Sequence, residues 1–341
     1  MGARAPPLPD TPVVKEASVT LTVALCVTAV AFVFVCGAND GGALLELAVR
    51  HRSRSAGLAL ALLTLAVGLG PHLFGLAVAR TFTGRLGQGP PATAQSVFLA
   101  GAAASVALVV VLTWRGVATS LTLAVLGALA GAGLALGVRP SWGHLALVLT
   151  VGAAAPLVGV AAGWLIGRTV RRIPAVRGMP RLVRAVQLAA FGTQCLAYAA
   201  NDGQKMFAVV AVTFAGDTLL PRPWETGDAL VAVVFALGAL VGARRIARGA
   251  AGRLLSARPW QVMSAELASS AAVLSTVGLG MPVSMTQSLA GGLIGTGASE
   301  GSRRVRWQFT VPLLTAWLVT LPAGFAAGSL AGLLVKGLTS W

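Results

Sequence analysis

Charge is what this chain has least of. Only 11% of its 341 residues are Asp, Glu, Lys or Arg, against 56% hydrophobic residues and a mean hydropathy of +0.82. Soluble domains carry roughly 25% charged residues, so this composition cannot cover a water-facing surface. A soluble enzyme, a nucleic-acid-binding module and a disordered protein are excluded. Cysteine is scarce too. Cys26, Cys36 and Cys195 lie in apolar stretches, form no CxxC and are odd in number, so they make no disulfide framework. They read as small packed hydrophobes. The residues Val33-Phe34-Val35-Cys36 do not form a lipoprotein-type site, because Val35 is too large for the cleavage position. None of His51, His72 and His144 pairs with another His, a Cys or a carboxylate at metal-ligand spacing. Neither GxxxxGK[ST], HExxH nor GxSxG occurs. No enzyme is expected.

The charge that is present is lopsided: 26 basic residues against 10 acidic, a formal net charge of +16. A nucleic-acid partner is not implied, because the basic residues sit in short segments between long apolar runs, as cytoplasmic loops do under the positive-inside rule. The clusters are Arg50/Arg52/Arg54, the Arg168–Arg184 connector, Arg244/Arg245/Arg248/Arg253/Arg258, and Arg303/Arg304/Arg306. The loop with Asp217, Glu225 and Asp228 is acidic. A helix needs about 20 apolar residues to cross the hydrocarbon, which places spans near 18–49, 56–79, 94–114, 117–138 and 142–167. A second set falls near 185–216, 228–243, 260–279, 281–298 and 307–336. The expectation is an all-α polytopic protein of the cell membrane with about ten spans. Its parts are a tail over 1–17, a first repeat over 18–167, a basic cytoplasmic connector over 168–184 and a second repeat over 185–341. Five spans per half invert the second half, and basic loops on the cytoplasmic face put both termini outside. Gly131, Gly133 and Gly137 read as small residues at helix contacts.

The two longest runs each contain a polar, glycine-bearing knot: Cys36-Gly-Ala-Asn-Asp-Gly-Gly42 and Ala199-Ala-Asn-Asp-Gly-Gln-Lys-Met206. Asn and Asp compete with helical backbone bonds and glycine loosens a helix, so broken helices are expected, and re-entrant hairpins are compatible with the pattern. Gly116-Val-Ala-Thr-Ser120-Leu-Thr122 echoes Gly280-Met-Pro-Val-Ser284-Met-Thr286. Asp40 precedes Ser120 by 80 residues and Asp202 precedes Ser284 by 82. Two different knots in one order at nearly one separation indicate a duplication.

An ionised carboxylate at mid-membrane costs at least ~2.5–3.5 kcal/mol. Asp40 and Asp202 therefore need a partner, and with few basic residues inside the spans a bound cation or proton is expected. Lys205, three residues after Asp202, either neutralises that carboxylate or attracts an anion. Ser120, Thr122, Ser284 and Thr286 begin spans, where hydroxyls cap the helix and donate to anionic oxygens.

These residues resemble the PiT family of inorganic phosphate transporters, whose halves carry GANDVANA and GANDxQK-like motifs, each followed by a PVSTTH-like segment. Gly37-Ala38-Asn39-Asp40 matches the first and Ala200-Asn201-Asp202-Gly203-Gln204-Lys205 the second. Pro282-Val283-Ser284-Met285-Thr286-Gln287 matches the later segment at all but two positions. The resemblance covers essentially the chain after residue 18. It implies import of phosphate coupled to Na⁺ or H⁺, with no cofactor beyond Na⁺ as coupling ion. The partners are phosphate, the cation and the bilayer, and a homodimer is compatible. The substrate residues would be Ser120, Thr122, Ser284, Thr286, Asn39, Asn201, Gln204 and Lys205. The coupling cation would bind at Asp40 and Asp202 with Asn39 and Asn201. The alternatives are sulfate or another tetrahedral oxyanion, and a passive anion channel. The first half departs from the pattern: Gly41-Gly42-Ala43 replaces Val-Ala-Asn, and Ala118-Thr119-Ser120-Leu121-Thr122-Leu123 replaces the first PVSTTH-like segment.

Overall fold

The computed structural model describes residues 12–50, 55–86, 91–115, 117, 119–174, 179–215, 225–246, 257–305 and 307–339. Arg52, Arg54, Arg248, Arg253 and Arg306, the loop around Asp217 and the first 11 residues of the tail lie outside the described residues.

Every described element is helical. In the first half, α1 (Pro12–Cys36) passes through one wide turn, Gly37–Gly41, into α2 (Gly42–Arg50). There follow α3 (Ala56–Phe74), α4 (Ala77–Arg80) with a wide-turn extension Thr81–Leu86, α5 (Pro91–Trp114), α6 (Leu121–Ala135) and α7 (Trp142–Val170). In the second half, α8 (Met179–Tyr198) runs through a second wide turn, Ala199–Gly203, into α9 (Gln204–Ala215). Then come α10 (Glu225–Ile246), α11 (Pro259–Val277), α12 (Met285–Ser299), a 3₁₀ turn at Ser302–Arg304 and α13 (Trp307–Thr339).

Among the described residues, six segments are long and apolar enough to cross a membrane: Thr20–Val49, Ala56–Phe74, Thr93–Trp114, Trp142–Val170, Gly227–Arg245 and Thr310–Leu338. The chain is a polytopic membrane protein. Its surface is inverted relative to a soluble protein. Leu65, Leu69, Leu157, Leu318 and Leu334 face outward, whereas Thr119, Ser120, Asn201, Asp202, Gln204, Lys205 and Glu266 are buried.

Two sequence expectations need correction. The segments 117–138 and 281–298 were expected to span, but their helices, α6 and α12, have 15 residues each. At 1.5 Å per residue that is about 22 Å, short of a hydrocarbon core of about 30 Å. Each instead lies along a long helix of the other half, α6 on α13 and α12 on α7. Glycines make this approach close. Gly131 abuts the Phe325 backbone and Gly295 the Val160 backbone. Of the three glycines read as helix contacts, Gly137 does a different job: its φ of 81° follows the end of α6.

The second correction concerns the knots. Neither breaks its helix. In the first, the Gly42 N–H donates to Gly37 O, a five-residue step that widens one turn and leaves the axis continuous. Glycine there serves packing. Gly37 and Gly41 lie against Phe235 and Ala239 of α10, and Gly42 against Gly242. Reciprocally, Gly238 and Gly242 abut the backbone of Phe34 and Ala38. The Gly41-Gly42 pair thus has a steric reason, since a Cβ at either position would collide with α10.

Gly242→Val should therefore lower the melting temperature in detergent, by the ~1–3 kcal/mol or more of an overpacked contact. Gly152→Ala, where nothing lies nearby, should leave it nearly unchanged. Equal melting of both variants would contradict this packing.

Candidate functional site

The second wide turn presents Asn201 and Asp202 to the segment that precedes α12. Gly280, with φ 67°, turns the chain out of α11 into that segment, and its carbonyl accepts from Thr81 Oγ1 at 2.7 Å. The Asn201 amide then grips the segment on both sides of Pro282: Nδ2 donates to Met281 O at 3.0 Å and Oδ1 accepts from Val283 N at 3.1 Å. Ser284 caps α12, accepting from Gln287 N, and its hydroxyl lies 3.0 Å from Thr286 Oγ1.

Asp202 is buried and fully engaged. Its Oδ2 accepts from Met285 N, the first residue of α12, at 3.0 Å, so the carboxylate sits at the positive end of that helix. Its Oδ1 pairs with Lys205 Nζ and accepts from Thr122 Oγ1 at 3.4 Å. The ammonium also donates to Thr122 Oγ1 at 2.5 Å and to Val283 O at 3.1 Å. Thr122 belongs to α6, so this cluster joins the halves. Ser120 caps α6 as Ser284 caps α12, and the two caps share one backbone conformation: φ −98°, ψ 113° and φ −100°, ψ 119°.

Asp40 is differently placed. Its described hydrogen bond comes from its neighbour, Asn39 Nδ2, at 2.7 Å. It lies within electrostatic range of Asp202 and Lys205 and is itself buried. Of the expected residues, Ser120, Thr122, Asn201, Asp202, Lys205, Ser284 and Thr286 thus gather around the N-termini of α6 and α12. Gln204 points elsewhere: its Oε1 accepts from Val78 N and Ala79 N at 2.9 and 3.2 Å, and its Nε2 donates to Ala200 O. It ties α9 to α4. Of the partners expected for Asp202, a bound cation, a proton or Lys205, the structure supplies Lys205, of which only 2% is exposed.

Sequence reasoning missed Tyr198. It is the single tyrosine of the chain and it immediately precedes the second wide turn, which was the available signal. Its ring packs on Phe235 with centroids 5.4 Å apart, and its fully buried hydroxyl has no described hydrogen-bond partner. It lies within electrostatic range of Asp40. Sequence reasoning also missed Thr119 Oγ1 against Thr320 Oγ1 at 2.9 Å, a further polar link between halves. A cavity of about 380 Å³ lies elsewhere. Arg258, Arg303, Arg304 and Glu300 line it beside the C-terminal end of α12, with Glu300 paired to Arg258 and Arg304. Since α12 is about 22 Å long, that cavity is remote from Ser284.

Residues 175–328 match the model of the "Phosphate transporter family". A "Probable low-affinity inorganic phosphate transporter" of Mycobacterium bovis is 30% identical over 323 residues, covering 91% of this chain and 76% of that protein. The chain belongs to the phosphate transporter family. A Bacillus subtilis relative with the same description is 24% identical and covers 91% of this chain and 96% of its own. A solved structure, "The sodium-dependent phosphate transporter", superposes with a TM-score of 0.80 over 94% of this chain and all of its own, at 16% identity. At that identity the likeness is one of fold.

Within this member of the phosphate transporter family, Asn201→Ala would strand the Met281 carbonyl and the Val283 N–H in a buried site. Each unpaired group costs ~1–3 kcal/mol. The variant should melt earlier and lose transport. Wild-type melting would show that the amide does not hold the segment.

Proposed function

We propose that this chain imports inorganic phosphate across the cell membrane, driven by an inward gradient of Na⁺ or H⁺. The site is the place where α6 and α12 present their N-termini. The observation that carries this reading is the pair of matching serine caps, one from each half, on short helices that Asp202 ties together through Thr122 and the Met285 N–H. Helix N-termini offer unpaired N–H groups to an anion, and Ser120, Ser284 and Thr286 add hydroxyl donors.

The exchange of short helices between halves supports an inverted duplication, with boundaries near 18–167 and 185–341. The basic loops support cytoplasmic placement of the 168–184 connector and outer termini. Asp202 is matched by Lys205, so the transported cation goes to Asp40 with Asn39, and the Tyr198 hydroxyl lies within electrostatic range. Asn201 and Gln204 use their amides on neighbouring backbone and act as scaffold. No bond in phosphate is made or broken, so the chain acts as a carrier and not as an enzyme.

Reconstituted protein should accumulate labelled phosphate when a Na⁺ or a pH gradient is imposed, and sulfate should not compete. Asp40→Asn should abolish gradient-driven uptake. Ser284→Ala should raise the half-saturating phosphate concentration roughly tenfold or more, because a hydrogen bond to a charged group is worth ~1.5–3 kcal/mol. Uptake that ignores both gradients would overturn coupling, and equal competition by sulfate would overturn the substrate.

A further inference from the structure

The two half-sites differ in charge at one position. Three residues after Asp202 stands Lys205, and three residues after Asp40 stands Ala43. The Lys205 side chain is 2% exposed, in the middle of a membrane protein. Its surroundings are those of a small cation and not those of an anion-binding lysine. Nζ meets a carboxylate oxygen of Asp202, the hydroxyl oxygen of Thr122 at 2.5 Å and the backbone carbonyl of Val283 at 3.1 Å. An ammonium has three N–H donors and no acceptor. All three donors are taken, so none remains for phosphate. Carboxylate, hydroxyl and carbonyl oxygens are also the hard donors that alkali and alkaline-earth cations prefer. They are drawn here from α6, from the wide turn before α9 and from the segment before α12.

We infer that the Lys205 ammonium is a tethered counterion occupying a monovalent-cation site of the second half, so that a free cation is not bound there. This rests on the transport reading only for its consequence: the second half then contributes no cation to the transport cycle, and coupling is left to the Asp40 half. The site itself follows from the donor set. The cost of the arrangement has a sign. Removing one partner of a buried ion pair is strongly destabilising, because the other charge is left uncompensated. A site shaped for a cation can repair that loss by taking one from solution; a site shaped only for lysine cannot.

The test is the thermal melting of wild type, Lys205→Ala and Lys205→Ala/Asp202→Asn in isolated membranes. Sodium chloride is compared with N-methylglucamine chloride at equal ionic strength and without phosphate. Sodium should raise the melting temperature of Lys205→Ala by roughly 2 °C or more beyond its effect on wild type, as a ligand binding only the folded state does. The double variant, which has neither charge, should respond no more than wild type. A Lys205→Ala protein with the wild-type sodium response overturns the inference. So does loss of Lys205→Ala in sodium while the double variant survives, or loss of both. Because melting is read without transport, failure of phosphate uptake in a separate assay would refute the proposed function and leave this inference standing.

Discussion

A carboxylate buried inside a membrane protein must be matched, and that requirement organises this molecule. Ionised Asp at mid-membrane costs at least ~2.5–3.5 kcal/mol without compensation, and the chain carries two such residues in duplicated positions. Asp202 is matched three times over, by Lys205, by the Met285 N–H and by Thr122. Those bonds reach from α9 to α12 and to α6, so satisfying one charge also fixes both short helices. Asn201 completes the anchorage by gripping the backbone on both sides of Pro282. Asp40 is left with an amide neighbour, so the two carboxylates are unequally matched.

The helix packing follows from a second requirement. Lipid tails are as apolar as leucine, so helices in a membrane gain little by hiding apolar faces and associate by close contact. The glycines at positions 37, 41, 42, 238 and 242 bring α1, α2 and α10 to backbone contact. Those at 127, 131, 291 and 295 do the same for α6 on α13 and α12 on α7. Long helices thus form a frame, and the short helices hang on it with their N-termini directed at the charged cluster.

Much of this was legible in the sequence. Apolar run lengths gave the long helices, and the recurrence of Asn-Asp and of Ser-x-Thr at nearly equal separations pointed to residues that the structure brings together, Asp202 with Thr122 and with the first turn of α12. Three things were not legible, for physical reasons. Composition cannot tell a 15-residue half-helix from a span when the flanking segment carries no charge, as at 117–120 and 281–284. Helix-breaking residues in the knots suggested breaks, but a single wide turn accommodates Asn-Asp while keeping the axis, because only one backbone step lengthens. The roles of Asn201 and Gln204, and the bonds of Lys205 to Thr122 and Val283, depend on segments 78 to 126 residues away in sequence, which no local pattern reports. Read locally, Gly41-Gly42 is erosion of a motif; beside Phe235 and Gly242 it is a steric necessity.

The central claim is that substrate binds where the α6 and α12 N-termini meet the Asp202–Lys205–Thr122 cluster. A structure determined with phosphate bound tests it most directly. The account predicts a tetrahedral oxyanion within hydrogen-bonding distance of the Ser120 and Ser284 hydroxyls, with Lys205 still paired to Asp202. Phosphate seated instead among Arg258, Arg303 and Arg304 at the far end of α12, with the serine caps empty, would contradict it.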